Sequence, residues 1–400
     1  MSKEIIAPRT RGFISLTSHP DGLKVLVDEQ IKKVNKIESR NIKNVLVIGS
    51  SMGYGLASTI FSLFGLGART LGVCYERAPQ KRKTGSAGWY NSGELMKFAE
   101  SSGLNLNVVN ADAFKEDTKN SVMEMLKNNY GKIDLLIYSL AAPRRTDRDG
   151  VAWNSVLKPI GKDVSLKNLN LQTNIFEMSH ISQATKEEIE ATTKVMGGED
   201  CEDWVSALMT NDLISRHFKA VAFSYIGPQV TEHIYRTGTI GIAKNHLEST
   251  INTINNKLVD FSSDSSALVS VNKAIVTQAS SAIPGVPLYI SMLFKLMKER
   301  HTHETAIDQI IRLFENKLLD IDDPIVDSNG FIRLDDYELD EELQDTIRKK
   351  WDTMSSDNFL DLIDFDQYII DFHQIFGFNV SDIDYQNLVE TDPEYSIQTL

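Results

Sequence analysis

The chain is poor in cysteine: Cys74 and Cys201 are the only two in 400 residues, and they stand far apart. Two distant thiols exclude a disulfide framework and a zinc ribbon, and they suit a reducing compartment, the cytoplasm. Histidine offers no metal site either. His301 and His303 are the one close pair, and a metal needs three or more ligands. Long apolar runs are also missing. The opening residues, MSKEIIAPRTRGF, lack the apolar stretch of a secretory leader. The most apolar later stretch, Ser280 to Met297, is interrupted by Pro284, Pro287 and Lys295. It reads as a buried segment or pocket wall, because a membrane span needs roughly 20 mostly apolar residues. Repeats and low-complexity tracts are absent. What remains is an ordinary globular composition, 42% apolar and 24% charged, long enough for one large domain or two fused ones.

The net charge of −13 is unevenly distributed. Residues 321–400 hold 21 Asp/Glu against 4 Lys/Arg, whereas the first 320 residues carry a slight basic excess. Such a body tolerates phosphate-rich ligands or an acidic carrier, and the acidic tail disfavours nucleic acid. The plain reading of the tail is a solvated helical surface. Along the chain, Asn44 to Ile48, Thr70 to Cys74, Leu106 to Val109 and Ile133 to Tyr138 are short apolar runs with helical patterns at Leu56 to Phe64 and Asn120 to Asn128. Strands alternating with helices predict an α/β fold, a Rossmann-type doubly wound parallel sheet. Thr84 to Asn91 (TGSAGWYN) reads as a loop over a site. The pattern loosens from Arg144 to Lys219, an insertion with two helices near Thr185 to Lys194 and Asp203 to Leu208. It resumes with Ala220 to Tyr225, a helix from about Ile242 to Leu258, a strand at Ala267 to Val271, and a helical remainder broken near Asp322 to Gly330. This gives one large domain over 1–400, with a dinucleotide-binding core from 41–145 and 220–280. Residues 146–219 are a helical insertion, and 281–400 a helical C-terminal extension.

Gly49-Ser50-Ser51-Met52-Gly53-Tyr54-Gly55 lies between a strand and a helix. Glycines there allow positive φ and let backbone approach a pyrophosphate, while the helix start offers free N–H groups to the anion. Tyr75-Glu76 ends the next strand. A carboxylate at Glu76 accepts from the adenosine ribose and repels a 2′-phosphate, which predicts NADH over NADPH despite the adjacent Arg77. Asp112-Ala113 follows the third strand, where Asp112 serves the adenine edge or a helix cap. Leu140 and Ala141 follow the fourth, small enough at Ala141 for backbone to lie on a cofactor.

After the fifth strand stand Tyr235 and Lys244, nine apart. A tyrosine and a lysine beside a nicotinamide form an acid pair in which the ammonium lowers the phenol pKa and holds the ribose. On one helix, nine residues put them about 13.5 Å apart along the axis and on opposite faces. Gly238 and Gly241 therefore place Tyr235 in a loop, the helix start near Gly241, and Lys244 in its first turn. The pair serves C=C reduction, carbonyl reduction, or a non-catalytic NADH sensor equally well. Lys81-Arg82-Lys83 and Arg144-Arg145 are either phosphate contacts or solvated surface.

These residues, together with Ser224-Tyr225-Ile226-Gly227-Pro228, Lys194-Val195-Met196-Gly197-Gly198-Glu199-Asp200 and Lys273 to Pro284 (KAIVTQASSAIP), carry a resemblance. The chain resembles the trans-2-enoyl-CoA reductases, or FabV-type enoyl-acyl-carrier-protein reductases, from Arg9-Thr10-Arg11-Gly12-Phe13 to Phe376-Gly377-Phe378. The resemblance implies an enlarged relative of the short-chain dehydrogenases, largely monomeric, without flavin or metal. Its substrate would be an enoyl thioester on coenzyme A or acyl carrier protein, reduced with NADH in fatty acid synthesis, with no nucleic acid or membrane partner. It assigns Tyr235 as proton donor, Lys244 as cofactor-binding lysine and Tyr225 as a substrate contact. Cofactor positions fall on Gly49 to Tyr54, Tyr75, Glu76, Asp112, Ala113, Leu140, Ala141, Ile275, Val276 and Thr277. Ser50 replaces a more usual alanine, and the stretch from Asp260 to Ala267 is longer than usual.

Overall fold

In the computed structural model, residues 3–12, 14–37, 41–81, 83–171, 173–319 and 324–400 are described. Phe13, Arg82, Asp322 and Asp323, which figure in the motifs above, lie outside them. The apolar runs become strands β1 (Asn44–Ile48), β2 (Arg69–Cys74), β3 (Leu106–Asn110), β4 (Ile133–Tyr138), β5 (Ile214–Ser224) and β6 (Ser266–Val271). Two short strands from the C-terminal extension, β7 (Phe331–Arg333) and β8 (Gln398–Thr399), join at the edges. The order is β7-β6-β5-β4-β1-β2-β3-β8, with every pairing parallel. This is the expected doubly wound α/β sheet, whose strands turn from one side of β1 to the other.

A parallel sheet must be covered on both faces, so β4 buries all its residues and β1 all but its first. Leu46 and Ile48 of β1 enter one core, and Val45 and Val47 enter the other. The first core is closed by helices α4 (Glu116–Asn129), α6 (Glu199–Thr210) and α7 (Thr239–Phe261). Leu247, Ile251, Ile254 and Leu258 form one stripe of α7 at helical spacing, all fully buried, each contributing about 1.5–3 kcal/mol of burial. The second core is closed by α1 (Pro20–Lys33), which brings Val27, by α2 (Gly53–Ile60), extended by a wider turn over Phe61–Gly65, and by α9 (Ala306–Leu313), which brings Ile307 and Ile310. A third core lies off the sheet, where α8 (Val286–Glu299) meets α10 (Glu341–Thr353) and α11 (Phe365–Gln374). The Ser280 to Met297 stretch is thus a buried helix and its approach, and no described helix is long and apolar enough to cross a membrane.

Several local expectations are corrected. Thr84 to Asn91 is not a loop throughout, because α3 (Ala87–Ser101) begins inside it. Its glycines weaken a helix by propensity but are needed for close approach. A Cβ on Gly88 would meet Glu76 Oε1 at 2.0 Å, and one on Gly93 would meet the Tyr395 ring at 2.2 Å. The insertion has helices α5 (Lys186–Met196) and α6 as expected, and also antiparallel hairpins, Arg144–Thr146 with Ala152–Asn154 and Val164–Asn170 with Ile175–Ile181. The acidic tail is more than a solvated surface. Leu343, Ile347, Trp351, Tyr368 and Phe372 bury one face of its helices in the third core.

Candidate active site

Because all strands run parallel, everything that follows a strand gathers at one edge of the sheet. The glycine loop after β1, Glu76 after β2, Asp112 after β3, Leu140 after β4, Tyr225 after β5 and Ile275 after β6 share that edge. The crevice lies where the winding reverses, between β1 and β4. Gly49 has φ +84°, and a Cβ on it would stand 2.4 Å from the Ser139 carbonyl. A Cβ on Gly55 would meet Gly49 O at 1.8 Å. Gly53, at φ +50°, faces Ile275 and Thr277, whose side chains lie 3.7 and 3.9 Å from where its Cβ would be. The loop before α2 and the segment after β6 therefore form two walls of one cradle, with the α2 start open for a pyrophosphate.

Glu76 is held at this cradle by both carboxylate oxygens. Ser51 Oγ donates to Oε1 at 2.6 Å and Ser86 Oγ to Oε2 at 2.5 Å. Asn110 fixes the backbone beneath, accepting from Glu76 N at 2.6 Å and donating to Glu76 O at 2.9 Å. Tyr75 is 75% exposed. Asp112 does not cap the helix that follows, which Lys115 caps; its Oδ1 accepts from Phe114 N at 3.0 Å in a local turn, and Ala113 is buried with its carbonyl bound to Lys119. Ser50 faces the sheet, since a Cβ on Gly72 would strike its Oγ at 2.6 Å. Met52 and Val276 pack against the third core, Thr277 caps the short turn that follows, and Leu140 is half-buried beside an exposed Ala141. Tyr54 donates to Lys273 O at 2.6 Å with Gln309 Oε1 at 2.9 Å, so its side chain ties the glycine loop to the β6 segment.

The reacting pair sits at the end of β5. Tyr235 lies in a run of turns after a short 3-10 helix, Gln229–Thr231. Its ring meets the Tyr225 ring edge-on at 4.8 Å between centroids. It is 8% exposed, and no described group hydrogen-bonds its hydroxyl. α7 starts at Thr239, capped by Gly238, because Thr239 anchors its N–H to Lys158 O and its hydroxyl to Val156 O. Lys244 is therefore the sixth helical residue, in the second turn and not the first. From there Nζ donates to Phe223 O at 3.1 Å, and burial lowers its pKa to about 8. The expectation that Lys244 lowers the phenol pKa is corrected. Burial pushes Tyr235 well above the ordinary tyrosine value, with Arg236 pulling the other way, and the Lys244 ammonium bonds Phe223 O instead of the phenol.

The Tyr225 hydroxyl donates to Glu338 Oε1 at 2.9 Å. Tyr289 donates to the same oxygen at 2.7 Å, and Ala274 N to Oε2 at 2.7 Å. Glu338 is fully buried, and burial raises its pKa while these donors pull it back. Sequence reasoning missed Glu338, hidden in the run DDYELDEEL, and Ser86, signalled only by a serine before a helix start. Arg145, left open between a phosphate contact and solvated surface, is neither: it is 5% exposed and committed to Glu199 and Lys194 O. His303 lies against Phe294, and among the described residues no three His, Cys, Asp or Glu converge as metal ligands.

Comparison with known proteins follows these lines. Residues 83–319 match the family model described as the trans-2-enoyl-CoA reductase catalytic region. Residues 5–81 match the NAD(P)H binding domain of trans-2-enoyl-CoA reductase. An enoyl-[acyl-carrier-protein] reductase [NADH] of Pseudomonas fluorescens (strain SBW25) is 44% identical over 398 residues, covering 99% of each chain. A trans-2-enoyl-CoA reductase [NADH] of Clostridium perfringens is 46% identical over 394 residues, 96% of this chain and 99% of that one. Two crystal structures superpose closely. The Clostridium acetobutulicum trans-2-enoyl-CoA reductase with NADH gives a TM-score of 0.93 at 39% identity, covering 97% and 98% of the two chains. The Treponema denticola enzyme with NAD gives 0.92 at 41%, covering 96% and 98%.

One expectation is overturned here. Flavin was excluded by resemblance alone, yet residues 326–389 match the model described as the enoyl reductase FAD binding domain. In this stretch 16 Asp/Glu face 4 Lys/Arg, of which Arg333 is paired with Asp327 and Asp335, and Arg348 with Asp345. Its large rings Trp351, Tyr368 and Phe372 are consumed by the third core. These side chains do not form a cradle for a flavin pyrophosphate, and no step below passes through a flavin.

Proposed function

The chain belongs to the trans-2-enoyl-CoA reductase family, and from that premise we propose that it reduces the 2,3 double bond of trans-2-enoyl thioesters with NADH. The product is the saturated acyl thioester, carried on coenzyme A or acyl carrier protein, as in fatty acid synthesis. The observation that carries this reading is Tyr235, a buried residue whose hydroxyl has no partner among the described residues, at the edge where the dinucleotide cradle opens. Nearby Tyr225 has its hydroxyl committed to Glu338, which leaves Tyr235 as the free donor of the two.

The residues fit NADH: Gly49 and Gly55 let the loop turn tightly, Gly53 leaves space where its pyrophosphate would pass, and Glu76 is poised for the ribose. When bound, NADH supplies the hydride that adds to C3 of the substrate. The electron pair of the double bond then moves toward the thioester oxygen, which becomes an enolate oxygen. A phenol donating to that oxygen stabilises the enolate more than the ground state, which is what accelerates a reaction. Tyr235 has the right character, because a phenol pushed up by burial stays protonated and able to donate at neutral pH. A proton then reaches C2, from Tyr235 directly or through a water, leaving the C2–C3 single bond and NAD⁺. Lys244, anchored to the end of β5 through Phe223 O, would hold the nicotinamide ribose.

Tyr225 serves this site through its ring, and Tyr75, Asp112, Ala113, Leu140, Ala141, Ile275, Val276 and Thr277 line the cofactor's path. We read the chain as one domain, since strands β7 and β8 of its C-terminal extension complete the common sheet. We place it in the cytoplasm, a reading supported by two buried free thiols, and read it as a monomer. Nicotinamide absorbance followed with crotonyl-CoA and with crotonyl-acyl-carrier protein tests the function, with product analysis for the saturated thioester. Substrate-dependent loss of NADH is expected with at least one carrier. Loss with neither, or a hydroxylated product, overturns the reading.

A further inference from the structure

The buried carboxylate of Glu338 reaches both halves of the site at once. Oε1 accepts from Tyr225, whose ring supports Tyr235, and Oε2 accepts from Ala274 N, the residue just before Ile275 to Thr277. A second tyrosine, Tyr289 of α8, also donates to Oε1, and Gln344 donates to the Glu338 carbonyl at 2.6 Å. Gln344 Nε2 lies 3.2 Å from the Tyr289 hydroxyl, so the cluster is closed on itself. Four donors around one fully buried residue specify a single arrangement, and each depends on the others. Lys273, whose backbone N–H and carbonyl bind Gln309 and Tyr54, extends the same frame to the glycine loop.

We propose that Glu338 is a positioning residue for the reduction: it locks the Tyr225 ring behind Tyr235 and the 275–277 wall of the cofactor cradle into one register. It touches neither substrate nor cofactor and acts through Tyr225 and Ala274. The carboxylate comes from the 326–389 stretch, so the C-terminal extension completes a site whose other residues lie before residue 278. A carboxylate is suited to this because it accepts on both oxygens and donates on neither. Glutamine at this position has one acceptor oxygen, and its NH₂ confronts either the tyrosine hydroxyls or the Ala274 N–H.

The inference rests on the enoyl-reductase reading, and two measurements keep their fates apart. Turnover with NADH and crotonyl-CoA is measured for wild type, Glu338→Gln, Tyr225→Phe and the double variant, with thermal melting of each. NADH affinity is measured separately, by titration of nicotinamide fluorescence without substrate. Glu338→Gln should lower kcat at least about tenfold, since small misplacements at a reacting centre are expensive, and leave KM for crotonyl-CoA within about threefold. It should also weaken NADH binding, through the released Ala274. The double variant should be no slower than Glu338→Gln alone, as expected for residues on one path. Wild-type kcat and NADH affinity in Glu338→Gln overturn the proposal, and so do losses that multiply in the double variant. If Glu338→Gln does not melt cooperatively, Tyr225→Phe decides: wild-type kcat there overturns the proposal, and a tenfold loss supports it. If wild type consumes no NADH with crotonyl-CoA or with crotonyl-acyl-carrier protein, the functional reading falls. The NADH affinity of Glu338→Gln then decides this one.

Discussion

Replacing Tyr235 by phenylalanine removes one oxygen and leaves the rest of the site as it is. The ring stays, with its edge-on contact to Tyr225 at 4.8 Å, so packing is unchanged and no cavity forms. The lost hydroxyl has no hydrogen-bond partner among the described residues although the residue is 8% exposed. Removing a poorly satisfied polar atom from such a place costs nothing and can return up to about 1 kcal/mol. Activity should move the other way. If that hydroxyl is the donor to the developing enolate, its loss costs about 10²–10³ in kcat, or about 3–4 kcal/mol, as for one oxyanion donor. The assay pairs urea unfolding with steady-state turnover on crotonyl-CoA. Stability equal to or above wild type, NADH affinity unchanged and kcat down at least a hundredfold is the expected triple. Near-normal turnover would refute the assignment. A stability loss well above 1 kcal/mol would refute the claim that the hydroxyl lacks a partner.

Other perturbations test the cofactor side. Lys244, with a pKa lowered to about 8, should give kcat/KM for NADH an alkaline limb near that pH, because the ammonium that holds the ribose is lost there; Lys244→Met should lack the limb. The same group's burial cost is carried in full below pH 8 and relieved as pH rises toward its unfolded value of 10.5, since the unfolded chain then binds more protons; wild type should gain stability relative to Lys244→Met over that window in urea melts. Glu76→Ala removes the charge facing a 2′-phosphate, so the NADPH-to-NADH ratio of kcat/KM should rise by about tenfold or more; an unchanged ratio would take cofactor choice away from Glu76. Gly88→Ala favours the helix by about 1 kcal/mol but puts a methyl 2.0 Å from Glu76 Oε1. KM for NADH should rise several-fold in a protein that melts normally, and an unchanged KM would separate Glu76 from the cofactor.

The parts of this fold that could be read from the sequence are those where burial is total. Strand β1 reads as NVLVI because a central parallel strand has no solvent face, and Gly49 follows because the turn has no room for a Cβ. α3 was not legible. Gly88 and Gly93 look like loop residues until Glu76 and Tyr395 are seen pressed against them, 12 and 302 residues away in sequence. Edge strands β7 and β8 span three and two residues, too short for any period to register. The second hairpin of the insertion, Val164–Asn170 with Ile175–Ile181, is largely half-exposed, so its pattern never separates from that of a polar loop.

The site divides along the same line. Tyr235 and Lys244 were legible because each belongs to a local pattern, a glycine-flanked loop and a helix start. Their mutual influence was not, since the phenol answers to burial and not to the lysine. Glu338 had no local pattern at all: its three donors, Tyr289, Ala274 and Tyr225, lie 49, 64 and 113 residues away. In a run of acids its side chain is indistinguishable from Asp340 or Glu341, which are exposed. What sets it apart is desolvation. A carboxylate is held at such depth only when donors meet it, and the donors it has gathered are those that frame the reacting tyrosine and the cofactor wall. Residues of this kind are where a sequence reading fails for a physical reason, because their chemistry is supplied by the tertiary structure alone.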